Sequence, residues 1–206
     1  MPMLLTYPMI KEAAREYNLE PAALRAIIAV ESGGSGFLPD GRLKILYERH
    51  AMWQRLKSRD IDPNLLAKAH PLLCGSRWDP KRHPYGSQAG QYDKLLTIIT
   101  WAQQHHTERW ESYKKAAYEA CSWGLFQVMG YHYAACGYSD IYTLKHTFEE
   151  SEEHHLRAIL RWMSGNGLIT HLRAKNWERF ARGYNGAGQV GHYANKLRQA
   201  YMAAHA

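Results

Sequence analysis

The chain has 206 residues, 46% of them apolar, enough for one substantial core and too few for two full domains, so a single compact domain spanning 1–206 is expected. Its 26 Lys and Arg against 19 Asp and Glu leave a net charge of +7, which favours a polyanionic partner (nucleic acid, acidic lipid or anionic wall polymer) without choosing among them. Three cysteines, Cys74, Cys121 and Cys136, fit neither a disulfide framework nor a zinc site, and no apolar run approaches the roughly 20 residues of a membrane span.

Helical periodicity dominates from the N-terminus onward, and no long alternating run suggests an extensive sheet. The opening MPMLLTYPMIKEAAREY lacks a basic n-region, and Pro2 and Pro8 bracket too short an apolar stretch for a signal peptide, so synthesis in the cytoplasm is expected. Helices are predicted near 8–18, 21–32, 50–57, 63–69, 91–105, 108–119, 147–164, 175–182 and 189–204. Pro21 suits the first turn of the second, and Gly33 and Gly34 end it, since glycine tolerates the left-handed cap conformation. Residues 36–48 are the best place for a hairpin or small extended segment, with Pro39, Asp40 and Gly41 as its turn. Residues 70–90, rich in Pro and Gly, read as a long loop.

In the second helix Leu24, Ile27, Ile28 and Glu31 follow the i, i+3, i+4, i+7 rule, so a carboxylate continues an apolar stripe. Burial and the negative end of the helix dipole both disfavour its ionised form and raise its pKa. A general acid that protonates a glycosidic oxygen near neutral pH needs that shift. The bland alternative is a glutamate reaching solvent at a helix end. In SWGLFQVMG a glycine that permits close approach of backbone to sugar stands near Gln127, whose amide both donates and accepts. The alternative there is a helix N-terminus with Leu125 and Phe126 in the core. Tyr184 and Asn185, between Gly183 and Gly186, form a turn able to aim a phenol and an amide into a cleft. Glu48, in ILYERH, is the candidate second carboxylate: an extended segment places it on the face opposite Tyr47, with a surface ion pair as the alternative and Asp40 as a weaker rival.

VESGGSGF, SWGLFQVMG and ARGYNGAG, in that order, resemble the ES, GLMQ and AYN motifs of soluble lytic transglycosylases and goose-type lysozymes. VES, SGF, ILYERH, SWGLFQVMG and the YNG segment are more closely similar to the N-acetylmuramidase family common in phage endolysins, over roughly residues 10–202. The resemblance implies an all-α or predominantly α, lysozyme-like fold of two lobes with a cleft and a small extended segment near residues 36–48. It implies peptidoglycan glycan strands as substrate, cleaved between N-acetylmuramic acid and N-acetylglucosamine, by hydrolysis or by lytic transglycosylation, with hydrolysis favoured. Glu31 and Glu48 become the catalytic pair; Ser32, Gln127, Tyr184 and Asn185 the sugar-binding residues. No metal or organic cofactor is implied, a monomer is expected, and an endolysin reaches the wall once a membrane lesion admits it. Gly183 stands where lytic transglycosylases usually have alanine, a departure that touches packing more than chemistry. Many relatives carry an additional wall-binding domain, for which 206 residues leave no room.

Residues 168–206 hold six basic residues and one acid, Glu178, so electrostatic contact with the anionic envelope is expected from that end. Glu152 and His155 form one Glu-x-x-His pair without the second that a di-metal site needs, and Glu149 to His155 read as solvated helix surface. KEAAREYNLEPAALRAII resembles a DNA-binding helix-turn-helix, yet its second helix offers only Arg25 to base edges, where a groove reader needs three or four polar side chains. Nucleic acid is therefore not expected as a partner.

Overall fold

The computed structural model describes residues 2–31, 34–79 and 87–205. The order is α1 Tyr7–Glu16, α2 Pro21–Glu31, β1 Ile45–Tyr47, α3 Arg49–Lys57, α4 Pro63–Ala69, α5 Gln88–His105, α6 Trp110–Glu119, β2 Cys121–Trp123, β3 Val128–Met129, α7 Ile141–Glu150, α8 Glu152–Gly165, α9 Leu168–Arg173, α10 Trp177–Asn185 and α11 Val190–His205. The predominantly α reading holds, with a small extended element where one was expected.

Two groups of helices form the lobes. α2 packs on α11 and α1, while α10 bridges α11 and α9 and α8 closes against α9 and α1. In the other lobe α5 and α3 pack on α6, and α5 covers β1. The reason is local: Ala22, Ala23, Leu24, Ala26 and Ile27 are all buried, so α2 is a central helix whose small residues let α11 approach closely. That burial also removes the DNA-binding reading, because a recognition helix must present a free face to a groove. Arg25, its one basic residue, gives a guanidinium hydrogen bond to the Ala204 carbonyl (3.0 Å).

The expected hairpin is real. Leu38 and Arg42 pair across Pro39, Asp40 and Gly41, Phe37 bridges Leu43, and Gly41 adopts the positive φ (85°) that the turn requires. Beyond it, residues 43, 45, 47 and 49 are buried while 44, 46, 48 and 50 are only partly so, the period-two signature of an extended strand. β1 pairs antiparallel with β2, and β2 with β3, so that Leu46 lies opposite Ser122 and Ser122 opposite Met129. SWGLFQVMG is thus a strand, a tight turn and a second strand rather than the start of a helix.

Two expectations need correction. The single helix predicted over 147–164 is two, because Ser151 is extended (φ −162°, ψ 142°), pairs with Met3, and turns its hydroxyl to cap α8 at the Glu153 N–H. A β-like residue interrupts the helix without interrupting its hydrophobic period, so periodicity alone merged the pieces. Secondly, Glu149 to His155 are not uniformly solvated surface: Glu149 and Glu150 are exposed, but Glu152 is 4% and His155 0% exposed. The short helix α9 was also missed, since six residues carry too little periodicity to register. Pro80, Pro84 and Gly86 of the predicted loop lie outside the described residues.

Candidate active site

Glu31 ends α2 where that helix meets the gap between the lobes. With Phe126, Gln127, Val128, Met129, His132, Ile159, Trp162, Tyr184 and Asn185 it lines a cavity of about 260 Å³. One wall comes from the β2–β3 turn and strand, the other from α8 and the end of α10. Burial pushes the Glu31 carboxyl above its usual range, opposed by a hydrogen bond donated by the Tyr193 hydroxyl. Desolvation is the larger influence, as the apolar stripe of α2 predicted.

Tyr193, from α11, was not apparent in the sequence. It lies beyond the YNG motif, and its own burial together with the neighbouring Glu31 holds the phenol well above its ordinary pKa, so it is a permanent donor. Its ring lies parallel to that of Tyr184 (6.3 Å, 6°), which in turn stacks on Phe180 (5.4 Å) and meets Trp162 edge-on (5.8 Å). This aromatic floor fixes both hydroxyl-bearing rings beside Glu31. Burial and Glu31 also raise the Tyr184 phenol.

Gln127 is in the cavity wall, but its amide is largely committed. Its nitrogen donates to the carbonyls of Gly124 (2.8 Å) and Lys44 (3.3 Å), and its oxygen accepts from Ser122 (3.0 Å). Both amide hydrogens are spent on building the turn, so what remains for a ligand is acceptor capacity on the oxygen. Gln127 and Gly124 both have positive φ (49° and 70°), which sharpens the turn enough to present Phe126 and Gln127 to the gap.

Glu48 is not among the residues lining this cavity. It follows β1 in an extended conformation (φ −112°, ψ 105°), its N–H held by the Ala120 carbonyl, and so shares the sheet face of Leu46 and, across the ladder, of Ser122 and Met129. That is the face whose Met129 edge borders the cavity. Burial raises the Glu48 carboxyl while Lys94 pulls it down, and His50 Nδ1 lies 3.5 Å away. Burial likewise lowers the Lys94 ammonium. Asp40, by contrast, is exposed at the hairpin tip and paired with Arg42 at 2.7 Å. Ser32 lies outside the described residues. His132 and Trp162, which sequence reasoning did not single out, meet at a tilt (5.6 Å, 57°) against the cavity, with burial and Arg55 lowering the imidazole pKa.

A family model described as Muramidase: N-acetylmuramidase matches residues 20–205. The chain belongs to the N-acetylmuramidase family. Among solved structures it is similar to the crystal structure of a Burkholderia AP3 phage endolysin, with 34% identity and a TM-score of 0.83 over 100% of this chain and 73% of that one. No curated protein matches the chain. The Glu31 carboxyl, raised by burial, faces the cavity of this muramidase. This muramidase is a glycoside hydrolase of peptidoglycan, with a predominantly helical lysozyme-like fold. Among its described residues no helix is long and apolar enough to cross a membrane.

Proposed function

We propose that the muramidase acts as an endolysin, cleaving the β-1,4 bond between N-acetylmuramic acid and N-acetylglucosamine with Glu31 as general acid. The observation that carries this reading is the Glu31 carboxyl, desolvated at the end of α2, held by Tyr193 and opening into the cavity. In the protonated form it gives its proton to the bridging oxygen as the C–O bond breaks and positive charge develops on the sugar ring. Tyr193 then stabilises the carboxylate left behind. Tyr184 and Asn185 line the same cavity and hold the sugars, with Ser32 beside Glu31 in sequence; the Gln127 oxygen accepts from a hydroxyl or N-acetyl N–H. The chain works as one monomeric catalytic domain and needs no cofactor for this step.

Glu48 is the second acid in this reading. Its place on the sheet face bordering the cavity suits it to orient a water toward the cationic carbon, and water delivery makes the reaction hydrolysis. A lytic transglycosylase would instead close the ring with the muramyl 6-hydroxyl. Digestion of purified peptidoglycan followed by mass spectrometry separates them: reducing muramic acid ends carrying the mass of added water are expected, and predominantly anhydromuropeptides would overturn the hydrolytic assignment.

Electrostatic attraction to the wall is part of the proposal, with its location refined. Arg173 caps α1 through the carbonyls of Tyr17 (2.8 Å) and Asn18 (3.1 Å), and Lys175 pairs with Glu20 (2.6 Å). These two serve the fold. Arg179, Arg182, Lys196 and Arg198 are exposed and carry no ion pair among the described residues, so they are the surface charges offered to an anionic polymer.

A further inference from the structure

The buried pair on α8 has no part in the chemistry above, yet it reaches both motif loops. Glu152 Oε1 accepts from the Gly36 N–H (2.7 Å) and the Ser35 hydroxyl (3.0 Å), and Oε2 accepts from the Leu5 N–H (2.8 Å). One turn further along α8, His155 Nδ1 accepts from the Leu125 N–H (3.1 Å). Its Nε2 therefore carries the hydrogen and donates to the Phe148 carbonyl (2.8 Å). Burial pushes this imidazole down to about 4, which keeps the neutral tautomer that the geometry requires.

The ring is also a spacer. A Cβ added to Gly36 would sit 2.7 Å from His155 Nδ1 and 2.6 Å from the Leu125 nitrogen; one added to Gly124 would also sit 2.7 Å from Nδ1. The glycine after the Glu31 motif and the glycine before Gln127 thus both rest on one imidazole, and only glycine leaves room for it. The segment that follows Glu31 leads through the hairpin into β1, and the turn that presents Gln127 joins β2 to β3 of the same sheet. Lys44 joins them as well, its N–H donating to the Gly36 carbonyl (2.8 Å) and its carbonyl accepting from the Gly124 N–H (2.9 Å).

We propose that Glu152 and His155 are positioning residues of the muramidase reaction, setting the distance between the Glu31 segment and the Gln127 turn from a single turn of α8. Both are too buried to touch substrate, so they act through the loops they hold. A sugar bound between the loops feels an error in that distance directly, and misplacement by about 1 Å can cost about 100-fold in rate. The inference rests on Glu31 and Gln127 belonging to the site.

Two isosteres divide the functions of His155. The substitution His155→Asn places an amide oxygen near the position of Nδ1 and keeps an acceptor for Leu125, whereas His155→Gln places its amide near that of Nε2, keeps the Phe148 contact and abandons Leu125. On solubilised glycan strands, His155→Gln is expected to lose roughly 10- to 100-fold in kcat with KM little changed, and His155→Asn to restore most of it. Urea midpoints measured in parallel report the stability of each. Equal kcat in the two folded variants, whatever their midpoints, would overturn the proposal by showing that the pair only stabilises the core. If His155→Gln does not fold, Glu152→Asp keeps the charge but withdraws it by one carbon from Gly36; a lowered kcat with a displaced alkaline limb of the pH profile supports positioning, and wild-type kcat and limb refute it. Glu31→Gln, run beside them, tests the catalytic reading independently, since full activity there would remove that reading whatever the His155 variants do.

Discussion

Tyr193→Phe removes one hydroxyl from the muramidase and leaves the ring stack on Tyr184 in place. Where Glu31 is protonated, the lost bond joins two neutral groups and is worth about 0.5–1.5 kcal/mol; where Glu31 is ionised, it is a bond to a charge worth about 1.5–3 kcal/mol. The hydroxyl therefore favours the carboxylate over the acid by about 1 kcal/mol, in keeping with its opposition to the desolvation that raises Glu31. Removing it leaves desolvation unopposed and moves the Glu31 titration further up. Because the folded pKa already lies above the unfolded one, Glu31's contribution to stability is complete below the unfolded pKa and falls away as pH rises through the folded value. Tyr193→Phe deepens that loss, so its stability deficit against wild type grows with pH. Two measurements check this: kcat/KM against pH, whose alkaline limb reports the acid in the free enzyme, and urea unfolding at acid and alkaline pH. An alkaline limb that stays put or moves down, or a deficit independent of pH, would refute the assignment of Tyr193 as the partner that restrains Glu31.

Further perturbations probe other parts of the account. Glu48→Gln is expected to fold and to lower hydrolysis by about 100-fold or more with KM little changed, in the range of general base contributions; full activity in the folded variant would make Glu48 a partner of Lys94 and His50 only. Neutralising Arg179, Arg182, Lys196 and Arg198 together should weaken sedimentation with purified walls at about 0.05 M salt and make no difference at about 1 M, where the Debye length is about 3 Å; unchanged binding at low salt would show a solvated surface with no role. Gly183→Ala, which supplies the alanine usual in lytic transglycosylases, brings a Cβ to 2.3 Å from Leu168 Cδ2. The overpacking costs about 1–3 kcal/mol against a helix-propensity gain of about 1 kcal/mol, so chemical denaturation should show a net loss of up to about 2 kcal/mol that shrinks when Gly183→Ala is made in a Leu168→Ala background, and a simple gain would contradict it.

The helical plan and the place of Glu31 were readable because both rest on periodicity: an apolar stripe that ends in a carboxylate needs only residue spacing. The hairpin after Gly36 was readable from Pro39, Asp40 and Gly41, whose turn preferences are local. What escaped were contacts made at long range. Tyr193 reaches Glu31 only because α11 packs along α2, and no spacing rule connects residues 162 positions apart. Glu152 and His155 look like members of a charged run, and only the approach of Met3, Gly36 and Gly124 buries them. Gln127 was found by motif, but its commitment to the Gly124 and Lys44 carbonyls was hidden because SWGLFQVMG reads equally well as a helix start until β1 is laid beside it.

The most direct test of the central claim is the release of new muramic acid ends from purified peptidoglycan by Glu31→Gln, with its fold verified by circular dichroism and thermal melting. Glutamine keeps the acceptor for Tyr193 but has no proton to give the leaving oxygen, so release is predicted to fall at least 1,000-fold, roughly the upper range for loss of a general acid. At neutral pH the variant should melt no lower than wild type, since a carboxylate held up by desolvation no longer has to ionise in the cavity. A folded Glu31→Gln that releases ends at a rate near that of the wild type would contradict the account.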